Sequence, residues 1–230
     1  MSAARPLRLL LGEALRDEAE VRRRRARVAT LFSYVVDHDL GFAPNPYDGF
    51  CTLVHCKFGG VGGQPNIVEL AEEEDWGLGS GGQSKQSAGN GKIIYLMRVD
   101  EKLAFPQYLQ DARFQGRADC IDRGLGNKFA LVSWTYFYFG KNALSVSELP
   151  SAVVPTLLKK GIGFRRDLPE ATLNRLTAWF SRTYEIGMHG DPCASSRETL
   201  QLHKRRTSRS SRPGPLTVLR STRSLGGPCG

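Results

Sequence analysis

Residues 30–57 read TLFSYVVDHDLGFAPNPYDGFCTLVHCK. Over residues 30–36 the alternation sends Leu31, Ser33 and Val35 to one side of a strand and Phe32, Tyr34 and Val36 to the other. Both sides are largely apolar, which places the strand inside a sheet rather than at its edge. A second strand is expected over 50–57, with Cys51, Leu53 and His55 on one face and Thr52, Val54 and Cys56 on the other. The loop between them, 37–49, is polar and proline-rich. Pro44 and Pro46 keep the residues before them out of the helical region, so the loop is extended or turned, and stiff. It gathers most of the chemically capable side chains: Asp37, His38, Asp39, Asn45, Tyr47 and Asp48, with the ring of Phe42 beside them.

On the N-terminal side, residues 1–28 are rich in helix formers, with acids preceding bases, and predict an exposed basic helix. On the C-terminal side, residues 59–91 are glycine-rich and polar. Residues 66–70 predict a short strand there, and residues 77–82, GLGSGG, a flexible hairpin turn. Those glycines resemble a phosphate-binding loop, but the GK[ST] ending is missing and no helical pattern follows. KIIYLMRVD, 92–100, alternates as a strand, and FPQYLQD, 105–111, predicts a short helix with Pro106 in its first turn. Residues 113–127 read as loop. KFALVSWTYFYF, 128–139, predicts one long strand. Its aromatic face can stack bases, although aromatics on strands more commonly fill cores. A helix is expected within 144–160. The clearest helix is PEATLNRLTAWFSRTY, 169–184, with Leu173, Leu176, Trp179, Phe180 and Tyr184 on one face. From about residue 190 Ser, Arg, Pro and Gly dominate and predict disorder. The expected organisation is a basic helical extension at 1–29, a domain at 30–190 and a basic tail at 191–230.

The net charge is +9 over 230 residues, but it is unevenly placed. Residues 1–28 hold eight Arg against four acids, and residues 191–230 hold eight Lys/Arg against two acids. Residues 29–190 are therefore left at −1. The two ends are either solvated arms or phosphate-binding ones. The five cysteines are odd in number and include no CxxC pair, which argues against a secreted disulfide framework and for reduced thiols in a cytoplasm. No run approaches the roughly 18 apolar residues of a membrane span.

The loop and its flanks offer three chemistries. His38, between Asp37 and Asp39, has the neighbours of a general acid or base, while the same carboxylates can simply cap a turn. Cys51, His55 and Cys56 are metal-ligand types, but a strand turns Cys56 away from the other two, so no metal is expected, and no cofactor. Cys51 also stands as a remote nucleophile candidate.

Four stretches in order, SYVVDHDLGFAPNPYDGFCTL, DWGLGSG, IIYLMRVDEKLAFPQYLQDARF and LVSWTYFYFGKNAL, resemble the nucleotide-modification-associated domain family, second type. The likeness covers roughly residues 32–179. It implies an association with systems that make, read or process modified nucleotides. The strand layout is also similar to PUA-like barrels, which include ASCH and EVE domains. The fold implied is α+β: a small, mixed, mostly antiparallel β-barrel or strongly curved sheet with flanking helices. Relative to the family pattern, Glu74 precedes Asp75-Trp76 and Gly77 follows at once, which implies a shortened segment there.

Three functions follow. The first is a module binding a nucleotide or modified base through Asp37, His38, Phe42, Asn45, Tyr47, Trp76 and Tyr136, which offer hydrogen-bonding groups and stacking faces. The second is an enzyme acting on a nucleotide or base, with His38 as general base oriented by Asp37 or Asp39. The third is an interaction protein that binds nucleic acid through its basic ends.

Overall fold

The structure is a computed structural model that describes residues 27–54, 65–121, 127–153, 157–159 and 163–194. The expected helix at 1–28 falls outside these residues apart from its last two, as do His55, Cys56 and everything beyond 194.

The strand read first, β1 (Leu31–Val36), lies inside a seven-stranded sheet. It pairs in parallel with β3 (Trp76–Gly81) along its whole length. The chain also contributes β2 (Cys51–Leu53), β4 (Lys92–Arg98), β5 (Glu101–Ala104), β6 (Phe129–Ser133), β7 (Tyr136–Tyr138), β8 (Leu144–Ser145), β9 (Phe164–Arg165) and β10 (Gly187–Met188). The order in the large sheet is β10-β7-β4-β3-β1-β9, with β8 also on β4. A second, antiparallel sheet has the order β2-β6-β5. The architecture is mixed α+β and dominated by its sheets. The described strands form two open sheets rather than the closed barrel that was one form of the expectation.

Three apolar clusters stack these elements. Phe32, Tyr34 and Val36 of β1 join Cys51 and Leu53 of β2, Leu131 of β6 and Tyr136 and Tyr138 of β7 between the sheets. On the other face of the large sheet, Leu31, Leu78, Leu96 and Phe137 pack against Leu173, Leu176 and Phe180. Those three lie on the helix Glu170–Thr183, which fulfils the clearest helical pattern. The outer face of the small sheet, Ala130 and Val132, carries Phe105 and Tyr108 of the helix Phe105–Gln110, together with Phe114.

Several expectations are corrected. Residues 77–81 are not a flexible turn but most of a strand in the middle of the sheet. Alternating glycines leave room for Tyr95: a Cβ at Gly79 would stand 2.2 Å from that ring and 2.8 Å from Val36. Glycine here is a packing requirement of a buried strand, not a turn signal. Residues 67–70 are helical, not a strand, because the Asn66 side chain caps them by accepting from the Glu69 amide at 2.9 Å. Of the expected strand 50–57, Cys51–Leu53 form β2, Phe50 and Val54 do not belong to it, and 55–57 lie outside the described residues.

The long strand over 128–139 is broken. Asp100 Oδ2 accepts from the amides of Trp134 and Thr135, both at 2.8 Å, and the chain passes from the small sheet to the large one. A bulge between Gly79 and Ser80, opposite Ile94, likewise interrupts the alternation of β4, so Ile93 and Leu96 share a core. Within 144–160, residues 144–148 form β8 and a 3-10 helix and Leu157 is helical, while 154–156 and 160 lie outside the described residues.

Candidate functional site

The loop 37–49 leaves β1 at the end paired with Gly81 and returns into β2. Its two ends are pinned differently. At the first end, Asp39 is fully buried. Its Oδ1 accepts from the Tyr138 hydroxyl at 2.5 Å, and its Oδ2 from the amide of Cys193 at 3.0 Å. The Asp39 amide donates to the Gln86 carbonyl at 2.9 Å. Burial and the Asp39 carboxylate push the Tyr138 phenol well above its ordinary range, so it remains a donor.

At the second end, Asn45 exchanges backbone hydrogen bonds with Thr52, each 2.9 Å, which extends the β2 hairpin into the loop. Arg117 reaches in beneath. Its Nη1 donates to the Tyr47 carbonyl at 2.5 Å, and its Nη2 to the Asn45 carbonyl at 2.9 Å and to Thr52 Oγ1 at 3.0 Å. Asp119 lies alongside, with Oδ1 3.5 Å from Arg117 Nε, accepting from Asn45 Nδ2 at 2.8 Å. Its other oxygen accepts from the Thr52 hydroxyl. Burial alone opposes the Arg117 charge, but Asp119, Tyr108 and Asp48 more than restore it, and its pKa is raised. The Tyr136 hydroxyl adds a donor to the Pro46 carbonyl at 3.1 Å.

The anticipated site residues therefore separate into groups. Asp37 and His38 are exposed at the loop's first turn, and Phe42 and Tyr47 are half-buried on the same loop. Asn45 and Tyr136 sit beneath it as anchors: the Asn45 amide is committed to Asp119 and to the Tyr47 amide, and Tyr136 is 3% exposed within the inter-sheet core. Trp76 starts β3, at the opposite end of the strand from Gly81, and packs on the core beneath the long helix. Five residues of strand, about 16 Å, separate it from the loop. His38 and Asp39 are neighbours in sequence but not in space of action, because the Asp39 carboxylate is occupied by Tyr138 and Cys193 while His38 is exposed. Cys51 is fully buried, with its thiol pushed up by burial, so it lacks the thiolate character of a nucleophile. Among the described residues, no group of three His, Cys, Asp or Glu side chains is arranged to hold a metal.

Arg117, Asp119 and Thr52 were not singled out from sequence. Their only trace is RADC, 117–120, a charged pair two residues apart in a stretch that read as loop. Cys193 was also missed, since it lies in a segment assigned to the tail.

With this geometry in place, comparison with known families is decisive on one point. The model of nucleotide modification associated domain 2 matches residues 28–125 and 117–199. The chain belongs to that family. The matched ranges of the nucleotide modification associated domain 2 family include every strand of both sheets and overlap across Arg117 and Asp119. No curated protein and no solved structure shows significant similarity to the chain.

Proposed function

We propose that this chain recognises a nucleotide or modified base at the outer surface of loop 37–49. The observation that carries the reading is the division of labour within the loop. Asp39, Asn45 and the Tyr47 carbonyl are fixed from below by buried partners, while Asp37 and His38 are exposed and the rings of Phe42 and Tyr47 are half-buried. A carboxylate and an imidazole suit the hydrogen-bonding edge of a base, and aromatic rings suit its face. A loop ordered before binding forfeits little entropy when the ligand arrives. The charge of −1 on residues 29–190 fits recognition of a base better than tracking of phosphates.

Recognition is preferred to catalysis because Asp39, one of the two carboxylates expected to orient His38, is engaged by Tyr138 and Cys193. The free thiols of Cys51 and Cys193 suit a reducing cytoplasm. Among the described residues, no helix is long and apolar enough to cross a membrane.

The test is calorimetric titration of the full chain with ordinary and base-modified mononucleotides at 0.3 M salt. Saturable one-site binding is expected for a subset, weakened at least tenfold in the double variant Asp37→Asn, His38→Ala. Binding that the double variant leaves unchanged contradicts the proposal, as does a panel with no saturable member. Turnover lost on His38→Ala with binding retained would instead establish an enzyme.

A further inference from the structure

β3 ends at Gly81, and the chain then turns over residues 82–87, GQSKQS, beside the loop that carries Asp37 and His38. Three contacts bracket those two residues. The Ser87 hydroxyl donates to the Val36 carbonyl at 2.5 Å, just before Asp37. The Asp39 amide donates to the Gln86 carbonyl at 2.9 Å, just after His38. Between them Gly82 lies flush against Asp37, since a Cβ there would stand 2.1 Å from Asp37 Oδ1. The turn is closed from within. The Gly82 amide donates to Ser87 Oγ at 2.8 Å, the Ser87 amide to the Ser84 carbonyl at 3.0 Å, and the Gln86 amide to Ser84 Oγ at 3.2 Å.

Lys85 stands in the middle of this turn and is exposed. Bond and hydrogen-bond lengths put its Cα within about 11 Å of the Asp39 Cα, whatever the torsions between them. Among the described residues, no carboxylate pairs with Lys85, and the amides of Gln83, Ser84 and Lys85 donate to no acceptor. The cations at the Trp76 end of the sheet are committed to neighbours: Arg27 to Asp75 at 2.8 Å, Arg98 to Asp100 at 2.5 Å and Lys102 to Glu72 at 2.9 Å. An ammonium and successive unengaged amides on one turn form a donor set for a phosphate, the amides as fixed dipoles and the lysine as a point charge. The glycines of 77–82 resemble a phosphate-binding loop in sequence. In the fold they form the strand, and the turn that follows it carries the donors.

We propose that turn 82–87 is a phosphate subsite of the same site, so that the ligand is a nucleoside phosphate. The Lys85 ammonium and the amides of Gln83, Ser84 and Lys85 take the phosphate, while Asp37 and His38 meet the base. This rests on the recognition reading above and adds the class of ligand. One sugar separates a base from its 5′-phosphate, and the turn lies one step outside the base-reading pair on a backbone bonded to both sides of it.

The experiment titrates the full chain calorimetrically at 0.3 M salt with three probes: a panel of base-modified nucleosides, the matching 5′-monophosphates, and inorganic phosphate. The monophosphate is expected to bind at least about tenfold more tightly than its nucleoside, the measure of a charge-assisted contact. Lys85→Gln is expected to remove most of that advantage and to change nucleoside binding less than about twofold, with the urea midpoint unchanged because Lys85 is exposed. Arg175→Gln, Arg182→Gln, on the exposed side of the helix Glu170–Thr183, is expected to leave all three probes unchanged.

If nucleoside and monophosphate bind alike, or Lys85→Gln weakens the monophosphate no more than the helix variant does, while Asp37→Asn, His38→Ala weakens both, the subsite is overturned and the recognition reading stands. If Asp37→Asn, His38→Ala changes neither probe, or inorganic phosphate binds as tightly as the monophosphate, the recognition reading is overturned and this inference with it. Absence of binding to every probe overturns both.

Discussion

Arg117 holds two loop carbonyls and a threonine hydroxyl from a position with no solvent contact of its side chain. Replacing it with Met keeps much of its volume but leaves the Asp119 carboxylate buried without its cation. A loss of about 3–5 kcal/mol is expected, read from urea unfolding, and a loss below about 1 kcal/mol would mean the pair is dispensable. Gly79→Ala places a methyl into the Tyr95 ring and the Val36 side chain, so about 1–3 kcal/mol of destabilisation is expected by the same measurement.

The buried thiol of Cys51 and the half-buried thiol of Cys193 give a pH dependence. Burial and the Asp39 carboxylate push Cys193 up to about 12, and burial raises Cys51 further. In an unfolded chain both ionise near their ordinary value, about 8.5. A raised folded value means the stabilisation is fully present below that ordinary value and is lost as pH climbs toward 12. The urea midpoint is thus expected to fall from pH 8.5 upward, and less steeply in a Cys51→Ala, Cys193→Ala variant. Equal slopes in the two proteins would contradict the assignment. At this scale the sequence exposed the loop's polar inventory but not its orientation. Asp37 and Asp39 look equivalent on paper; one is exposed and the other buried because Tyr138, a hundred residues away, meets only the second.

Among the elements, those with unbroken periodicity were legible: β1 and the helices Phe105–Gln110 and Glu170–Thr183 follow patterns that local sequence dictates. The failures share a cause, which is that a tertiary partner decides. The glycines of 77–81 look like a turn until Tyr95 is laid across them. Residues 128–139 look like one strand until Asp100 gathers the amides of Trp134 and Thr135. That break is also why Leu131 and Tyr136, five apart and expected on opposite faces, meet in one core. Asp100→Ala removes the acceptor for both amides. It is expected to cost about 1–3 kcal/mol and to accelerate hydrogen exchange selectively at residues 134 and 135. Unchanged exchange at those two amides would show that the corner is set by the strands themselves.

In the whole molecule, the two sheets enclose an interior that is apolar near Phe32, Leu53 and Leu131 and polar where it meets the loop, at Asp39, Thr52, Arg117 and Asp119. That polarity is spent inward, on fixing the backbone of residues 39–52. Family membership directs attention to nucleotides, and the geometry directs it to the rim that this network supports. The most direct measurement is hydrogen–deuterium exchange of the full chain with and without a saturating mixture of base-modified mononucleotides. The account expects added protection concentrated in residues 37–49, with the 75–78 end of β3 unaffected. Protection confined to other segments, or none in 37–49, would contradict it.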